Sequence, residues 1–178
     1  MLSRATLFAY ALPGIGFGSL DLLFMAFLLK FCTDALGIAP ALISLVLAGG
    51  RFWDAISDPV VGYLSDATIS DRFGRRRLWM LASALPLGVS FAAVFSPPAA
   101  LTEDLPLTAW MAATLFFYYT THTCFRVPQL ALGVELSEQH GYSERTRLMG
   151  WRVCGEVLGQ VAGVGALALL MGSDHQRS

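Results

Sequence analysis

The 178-residue chain is 55% hydrophobic and 14% charged, with a formal net charge of −1. Soluble domains carry about a quarter charged residues, so this composition excludes an ordinary water-soluble globule and points to a bilayer as solvent. The near-zero net charge argues against nucleic acid as a partner.

Spanning helices need about 20 mostly apolar residues, and five stretches qualify. The first, Ala5–Phe31, opens after Arg4 with Ala9-Tyr10-Ala11, a small-x-small pattern. The apolar run before that pattern is too short for a signal peptide and continues past it, so an uncleaved first helix is expected. Within it, Asp21 shares a face with Gly14 and Gly18, small residues that admit another helix or a ligand to the backbone. The second span, Ala41–Leu64, carries Arg51, Asp54, Ser57 and Asp58. A third follows at Leu78–Phe95, and a fourth at Leu107–Leu132 holds FFYY (Phe116–Tyr119), His122, Thr123, Arg126 and Pro128. The aromatic run reads as helix contact, and His122 as a satisfied membrane histidine rather than a proton relay. The fifth, Leu148–Met171, holds Arg152 and Glu156 one turn apart, an internal pair or cavity wall.

Short links join the spans: Thr33–Pro40, Asp66–Arg77, Ser96–Pro106 and Gly133–Arg147. The second contains Arg72, Arg75, Arg76 and Arg77, and the fourth Arg145, Arg147 and a solvated His140. The other two links carry Asp34, Glu103 and Asp104 and no arginine. The positive-inside rule therefore predicts a cytoplasmic N-terminus and an external GSDHQRS tail. Cys32, Cys124 and Cys154 form no CxxC and lie in or beside apolar runs, so they read as buried small hydrophobes.

Arg51, Asp54 and Asp58 fall on one face of the second helix with Ser57 beside them. Each such group near the bilayer centre costs about 2.5–3.5 kcal/mol on insertion scales, so the stripe must face protein or a water-filled cavity. A structural ion pair between Arg51 and one aspartate leaves an acid over. Two carboxylates one turn apart with a single nearby arginine suit a small cation that both share; Asp54 and Asp58 are the metal-ion candidates, for Na+. No HExxH, GxSxG or phosphate loop competes, and no enzyme or organic cofactor is expected.

Taken together, RxWDAxxDPxxGYxSD (Arg51–Asp66), GRRR (Gly74–Arg77) and VPxxALxxELS…ERTRL…WR (Val127–Arg152) resemble the glycoside–pentoside–hexuronide:cation symporters of the major facilitator superfamily. The resemblance runs nearly the whole length, in order. It implies an all-α integral membrane fold, the N-terminal helical bundle of that superfamily, with five transmembrane helices present of an expected twelve. Residues 1–178 then form a partial N-terminal bundle in the plasma (inner) membrane, lacking the C-terminal half between which and itself substrate is held.

The resemblance further places the coupling cation, Na+ or H+, on Asp54, Ser57, Asp58 and Thr123. Gly62, Asp66, Gly74, Arg75 and Arg76 match a cytoplasmic signature that latches the outward-facing state. Two aspartates that grip sugar hydroxyls in the family fall on Gly18 and Arg126, with Asp21 one turn from the former. Asp21, Gly18, Arg126 and Arg152 are thus the candidate substrate residues. A guanidinium at position 126 favours an anionic substrate, or it neutralises Asp21 or Asp58. The implied function is cation-coupled symport of a sugar or related small solute. The alternatives are an anionic non-sugar substrate, a non-transporting membrane fragment, and a small channel.

Overall fold

The computed structural model describes residues 2–69, 74–101, 103–138 and 141–175, with side chains to residue 167. Arg72, His140 and the end of the GSDHQRS tail, all read from sequence above, lie outside the described residues.

Among the described residues the regular structure is helical: α1 Arg4–Lys30, α2 Pro40–Ala67, α3 Arg75–Val94, α4 Asp104–Glu138 and α5 Tyr142–His175. Ser3 starts α1, its hydroxyl accepting the Thr6 N–H at 3.1 Å. The helix then continues through a π turn, Phe31–Ala35, closed by the Leu36 N–H on the Phe31 carbonyl. Pro40 begins α2, where its missing N–H costs nothing. Gly74 enters α3 at φ +78°, a left-handed conformation that a Cβ would strain.

Helix ends differ from the expected links. The Gly133–Arg147 link is mostly helical: α4 runs on to Glu138 and α5 begins at Tyr142. Hydropathy marks the apolar slab, whereas a helix keeps its backbone bonds satisfied after leaving it. At 1.5 Å per residue the 35 residues of α4 extend about 52 Å, against about 30 Å of hydrocarbon. Arg4–Ala35 and Arg75–Val94 are long and apolar enough to cross a membrane on those criteria alone. Among the described residues α2 is diluted by the Arg51–Asp58 stripe, and α4 by threonines, tyrosines and His122.

Two compact units make up the chain, Met1–Leu28 with Gly133–Ser178, and Leu29–Leu132. In the first, Leu7, Tyr10 and Leu148 form a core flanked by Leu2 and Leu136. Along the rest of α1 and α5 the backbones themselves meet. A Cβ on Gly18 would collide with the Glu156 carbonyl, and one on Gly159 with that of Ile15. The Ser19 hydroxyl bonds the Gly159 carbonyl at 2.6 Å across the seam.

In the second unit α3 meets α4 through Ser90 and Thr121, whose hydroxyls lie 3.1 Å apart, and through the Phe91–Tyr118 ring contact. Small hydroxyl residues share the interior with apolar ones such as Ile43, Met111 and Leu115, and large apolar side chains also lie outside. Ser57, Ser65, Ser83, Ser90, Thr114, Thr121 and Thr123 are buried, while Phe52, Leu85 and Leu105 are 72%, 77% and 82% exposed. The buried hydroxyls are satisfied largely by their own helices, as Ser83 on the Trp79 carbonyl (2.6 Å) and Thr114 on that of Trp110 (2.9 Å). Small hydroxyl residues at helix contacts under an apolar coat are how helices associate in lipid.

Candidate functional site

The acids of α2 meet α4 along a ladder of contacts. Gly50 lies against the Tyr119 ring. The Trp53 indole N–H donates to the Thr120 hydroxyl at 3.0 Å, and its ring lies 4.3 Å from that of Phe116, centroid to centroid. Asp58 Oδ1 accepts from the Thr123 hydroxyl at 3.0 Å, with the buried Ser57 hydroxyl 3.5 Å from the same oxygen of Thr123. Gly62 lies against Val127. Contacts advance along both helices together, so α2 and α4 run parallel, and Gly50 and Gly62 bring them close above and below the acids.

Arg51 reaches Asp54 Oδ2 at 3.6 Å, and its guanidinium lies 5.8 Å from the Tyr119 ring centre. The other oxygen, Asp54 Oδ1, is buried without a hydrogen-bond partner. Charges acting on Asp54 come from Asp58, Arg51 and His122. The ion pair of Arg51 with one aspartate, the alternative to a shared cation, therefore forms, and among the described residues Asp58 is held by the Thr123 hydroxyl. A buried carboxylate oxygen with no donor is costly unless something positive reaches it. Two carboxylates and two hydroxyls are hard oxygen donors, matched to a small alkali cation or a proton rather than to a soft metal. Among the described residues no group of three or more His, Cys, Asp or Glu side chains is placed to hold a metal ion.

Other candidate residues are distributed between the units. Gly18 is buried and its face is filled by α5, which leaves no space there for a ligand atom. Arg152 and Glu156 form the expected internal pair at 2.5 Å, nearly enclosed, with Arg152 Nε buried and lacking a hydrogen-bond acceptor. Asp21 shares their unit, whereas Arg126, half-buried on α4, belongs to the other. In the α2–α3 region Asp66 Oδ1 accepts both Nε (3.1 Å) and an Nη (2.8 Å) of Arg76. Trp79 donates to the Thr68 hydroxyl beside it at 2.8 Å. Gly74 supplies the turn that presents Arg75 and Arg76 at the start of α3.

Sequence reasoning passed over two features. The Trp53–Thr120 bond joins residues 67 apart, and no local spacing announces it. Gly155, Gly159 and Gly163, by contrast, recur every fourth residue and were a readable packing signal; all three lie against α1.

An all-α chain of five helices, with an apolar exterior and two acids one turn apart on a membrane-type helix, has the build of an integral membrane protein of the major facilitator type. A family model described as MFS/sugar transport protein matches residues 9–177, and the chain belongs to that family. It is 37% identical over 143 residues to an uncharacterized symporter of Synechocystis sp., covering 76% of this chain and 25% of the relative. Identity to the sodium-dependent lysophosphatidylcholine symporter 1 of Xenopus tropicalis is 31%, over 84% of this chain and 28% of that one. For the inner membrane symporter YicJ of Escherichia coli it is 32%, over 83% and 30%. These relatives are symporters and not enzymes, and the chain spans between a quarter and a third of their length.

Proposed function

We propose that the chain is the N-terminal part of a cation-coupled secondary transporter, its five helices all spanning the membrane with the N-terminus cytoplasmic. Asp54, Ser57, Asp58 and Thr123 hold the coupling ion, Na+ or H+. The observation that carries this reading is the buried, donor-less Asp54 Oδ1 one turn from Asp58, with Arg51 committed to the opposite oxygen. Four sodium-dependent relatives by name, from frog, chicken and zebrafish, support sodium as the ion.

Coupling follows from charge. An empty pair of acids resists enclosure in a low-dielectric bundle, and a bound cation relieves that resistance, so the carrier rocks when loaded. Asp66 and Arg76, with Gly62, Gly74 and Arg75, latch the cytoplasmic ends. The substrate is a sugar or related small organic solute, as the motif resemblance to the glycoside–pentoside–hexuronide symporters implies. Asp21, Arg126 and Arg152 are its candidate contacts, and Gly18 contributes only by admitting α5.

An anionic substrate is the second reading, favoured by the arginine at position 126, which the motif resemblance aligns with an aspartate that receives sugar hydroxyls. A relative named for sphingosine-1-phosphate, a phosphate monoester, points the same way.

Uptake into proteoliposomes by the complete transporter that carries this segment tests both. Asp58→Asn and Asp54→Cys are expected to abolish cation-driven accumulation while the protein still inserts; full concentrative uptake in both removes the cation role. Comparing galactosides with uronates in wild type and Arg126→Ala separates the substrates, since unchanged uronate uptake in the variant defeats the anionic reading.

A further inference from the structure

Thr120 and Trp53 carry no charge and touch neither aspartate in the contacts described, yet they occupy the rung of the α2–α4 ladder next to the acids. The Thr120 hydroxyl donates its proton to the Phe116 carbonyl at 2.8 Å and accepts the indole N–H at 3.0 Å. Both its hydrogen-bonding directions are thereby fixed. Phe116, which supplies that carbonyl, also sets its ring, tilted by 41°, against the indole at 4.3 Å between centroids, so Trp53 is held by one α4 turn through two independent contacts. Ser57 follows Trp53 by one turn on α2, and Thr123 follows Thr120 by one turn on α4. The Ser57–Thr123 and Asp58–Thr123 bonds are therefore the next rung of the same ladder.

We propose that Trp53 and Thr120 are positioning residues of the cation site: their bond sets the register of α2 on α4, and that register decides whether Thr123 reaches Asp58 and leaves Asp54 Oδ1 facing the ion. This rests on the cation-site reading above. A helix lacking the bond keeps its apolar contacts but slides or rotates by fractions of an ångström. A site built of two carboxylates and two hydroxyls on separate helices is sensitive to displacements of that size.

Saturable binding of labelled sodium to the 178-residue chain in lipid nanodiscs, at constant ionic strength with choline, tests the inference. Trp53→Phe keeps the ring and loses the N–H; Thr120→Val keeps the shape and loses the hydroxyl. Each is expected to weaken sodium binding about two- to tenfold, the range set by one neutral hydrogen bond, and to flatten the preference between sodium and lithium. The double variant is expected to be no weaker than either single one, and Thr120→Ser to restore both affinity and preference. Leu115→Ala, a core deletion elsewhere on α4, lowers thermal stability and leaves the sodium–lithium preference unchanged. If Asp58→Asn loses sodium binding while Trp53→Phe and Thr120→Val bind sodium and lithium as wild type does, the positioning role is overturned. If Asp58→Asn binds sodium normally, or wild type shows no saturable binding, the cation-site reading falls and takes the proposal with it.

Discussion

The α1–α5 seam gives a graded set of glycine substitutions whose ranking comes from geometry alone. A Cβ at Gly18 or Gly159 would penetrate a backbone carbonyl of the facing helix, Glu156 or Ile15 respectively. No rotamer change relieves that, so the helices must move apart. Overpacking of this kind costs about 1–3 kcal/mol, sometimes more. At Gly14 the added atom would lie 3.0 Å from the Arg152 carbonyl and 3.2 Å from the Glu156 N–H nitrogen, a shortfall of tenths of an ångström that costs less. Gly16 and Gly165 have nothing within 4 Å of an added Cβ. Alanine there gains helix propensity, by up to about 1 kcal/mol. A chain of this size shifts its melting temperature by about 2–4 °C per kcal/mol. Gly18→Ala and Gly159→Ala are thus expected to melt about 2–12 °C lower in nanodiscs, Gly14→Ala to fall between, and Gly16→Ala and Gly165→Ala to be unchanged or higher. Thermal unfolding followed by near-ultraviolet circular dichroism reads the series. Equal shifts for Gly18→Ala and Gly16→Ala would refute backbone contact at the seam.

Glu144 accepts the Leu2 N–H at 3.2 Å and an Arg147 Nη at 3.4 Å. The Leu2 bond foremost, and then the Arg147 charge, holds its carboxyl below the ordinary value of 4.5. A lowered carboxyl pKa stabilises the fold fully above the unfolded value and loses that contribution as pH falls through the folded one. Amide exchange at the start of α1 is therefore expected to accelerate below about pH 4.5, and Glu144→Gln to remove that dependence; a pH-independent wild type contradicts it. Asp66–Arg76 is partly exposed, so Arg76→Ala should change stability by less than about 1 kcal/mol yet increase labelling of a cysteine placed at the cytoplasmic end of α2. Unaltered labelling would deny the pair a latching role. Ser90→Ala removes one hydroxyl from a buried pair in which Thr121 keeps its own carbonyl acceptor, so a loss of about 1 kcal/mol is expected. A destabilisation above about 3 kcal/mol would show that Thr121 depends on Ser90.

Charge inside an apolar run is the feature a sequence displays most openly, and it led directly to Asp54, Asp58 and Arg51. Thr123 came from the motif resemblance, and the structure brings its hydroxyl to Asp58. Helix count was equally legible, because five apolar stretches are separated by polar links. Helix ends were not: Val134–Glu138 and Tyr142–Arg147 are polar and helical at once, and hydropathy records only the first property. Partners remote in sequence were also hidden. Gly18 was read as admitting either a helix or a ligand, and nothing local chose between them. Counting Gly155, Gly159 and Gly163 would have chosen α5, since two small-residue rows of matching period close on each other.

Different physics holds the helices together within each unit, and this separates packing effects from site effects. In the first, Gly18, Gly155 and Gly159 let backbone lie on backbone, so the sensitive variable is volume: one methyl group is expelled whatever its polarity. In the second, α2 and α4 meet through Trp53, Ser57, Asp58, Thr120 and Thr123, and the sensitive variable is the hydrogen bond. Isosteric loss of a hydroxyl there leaves volume intact and frees the register. Thr→Val changes along α4 should therefore alter ion binding with little change in melting, and Gly→Ala changes along α5 the reverse. If Thr120→Val lowered the melting temperature as far as Gly159→Ala while sodium binding held, the acids would not depend on register, and the ladder would be packing like the seam.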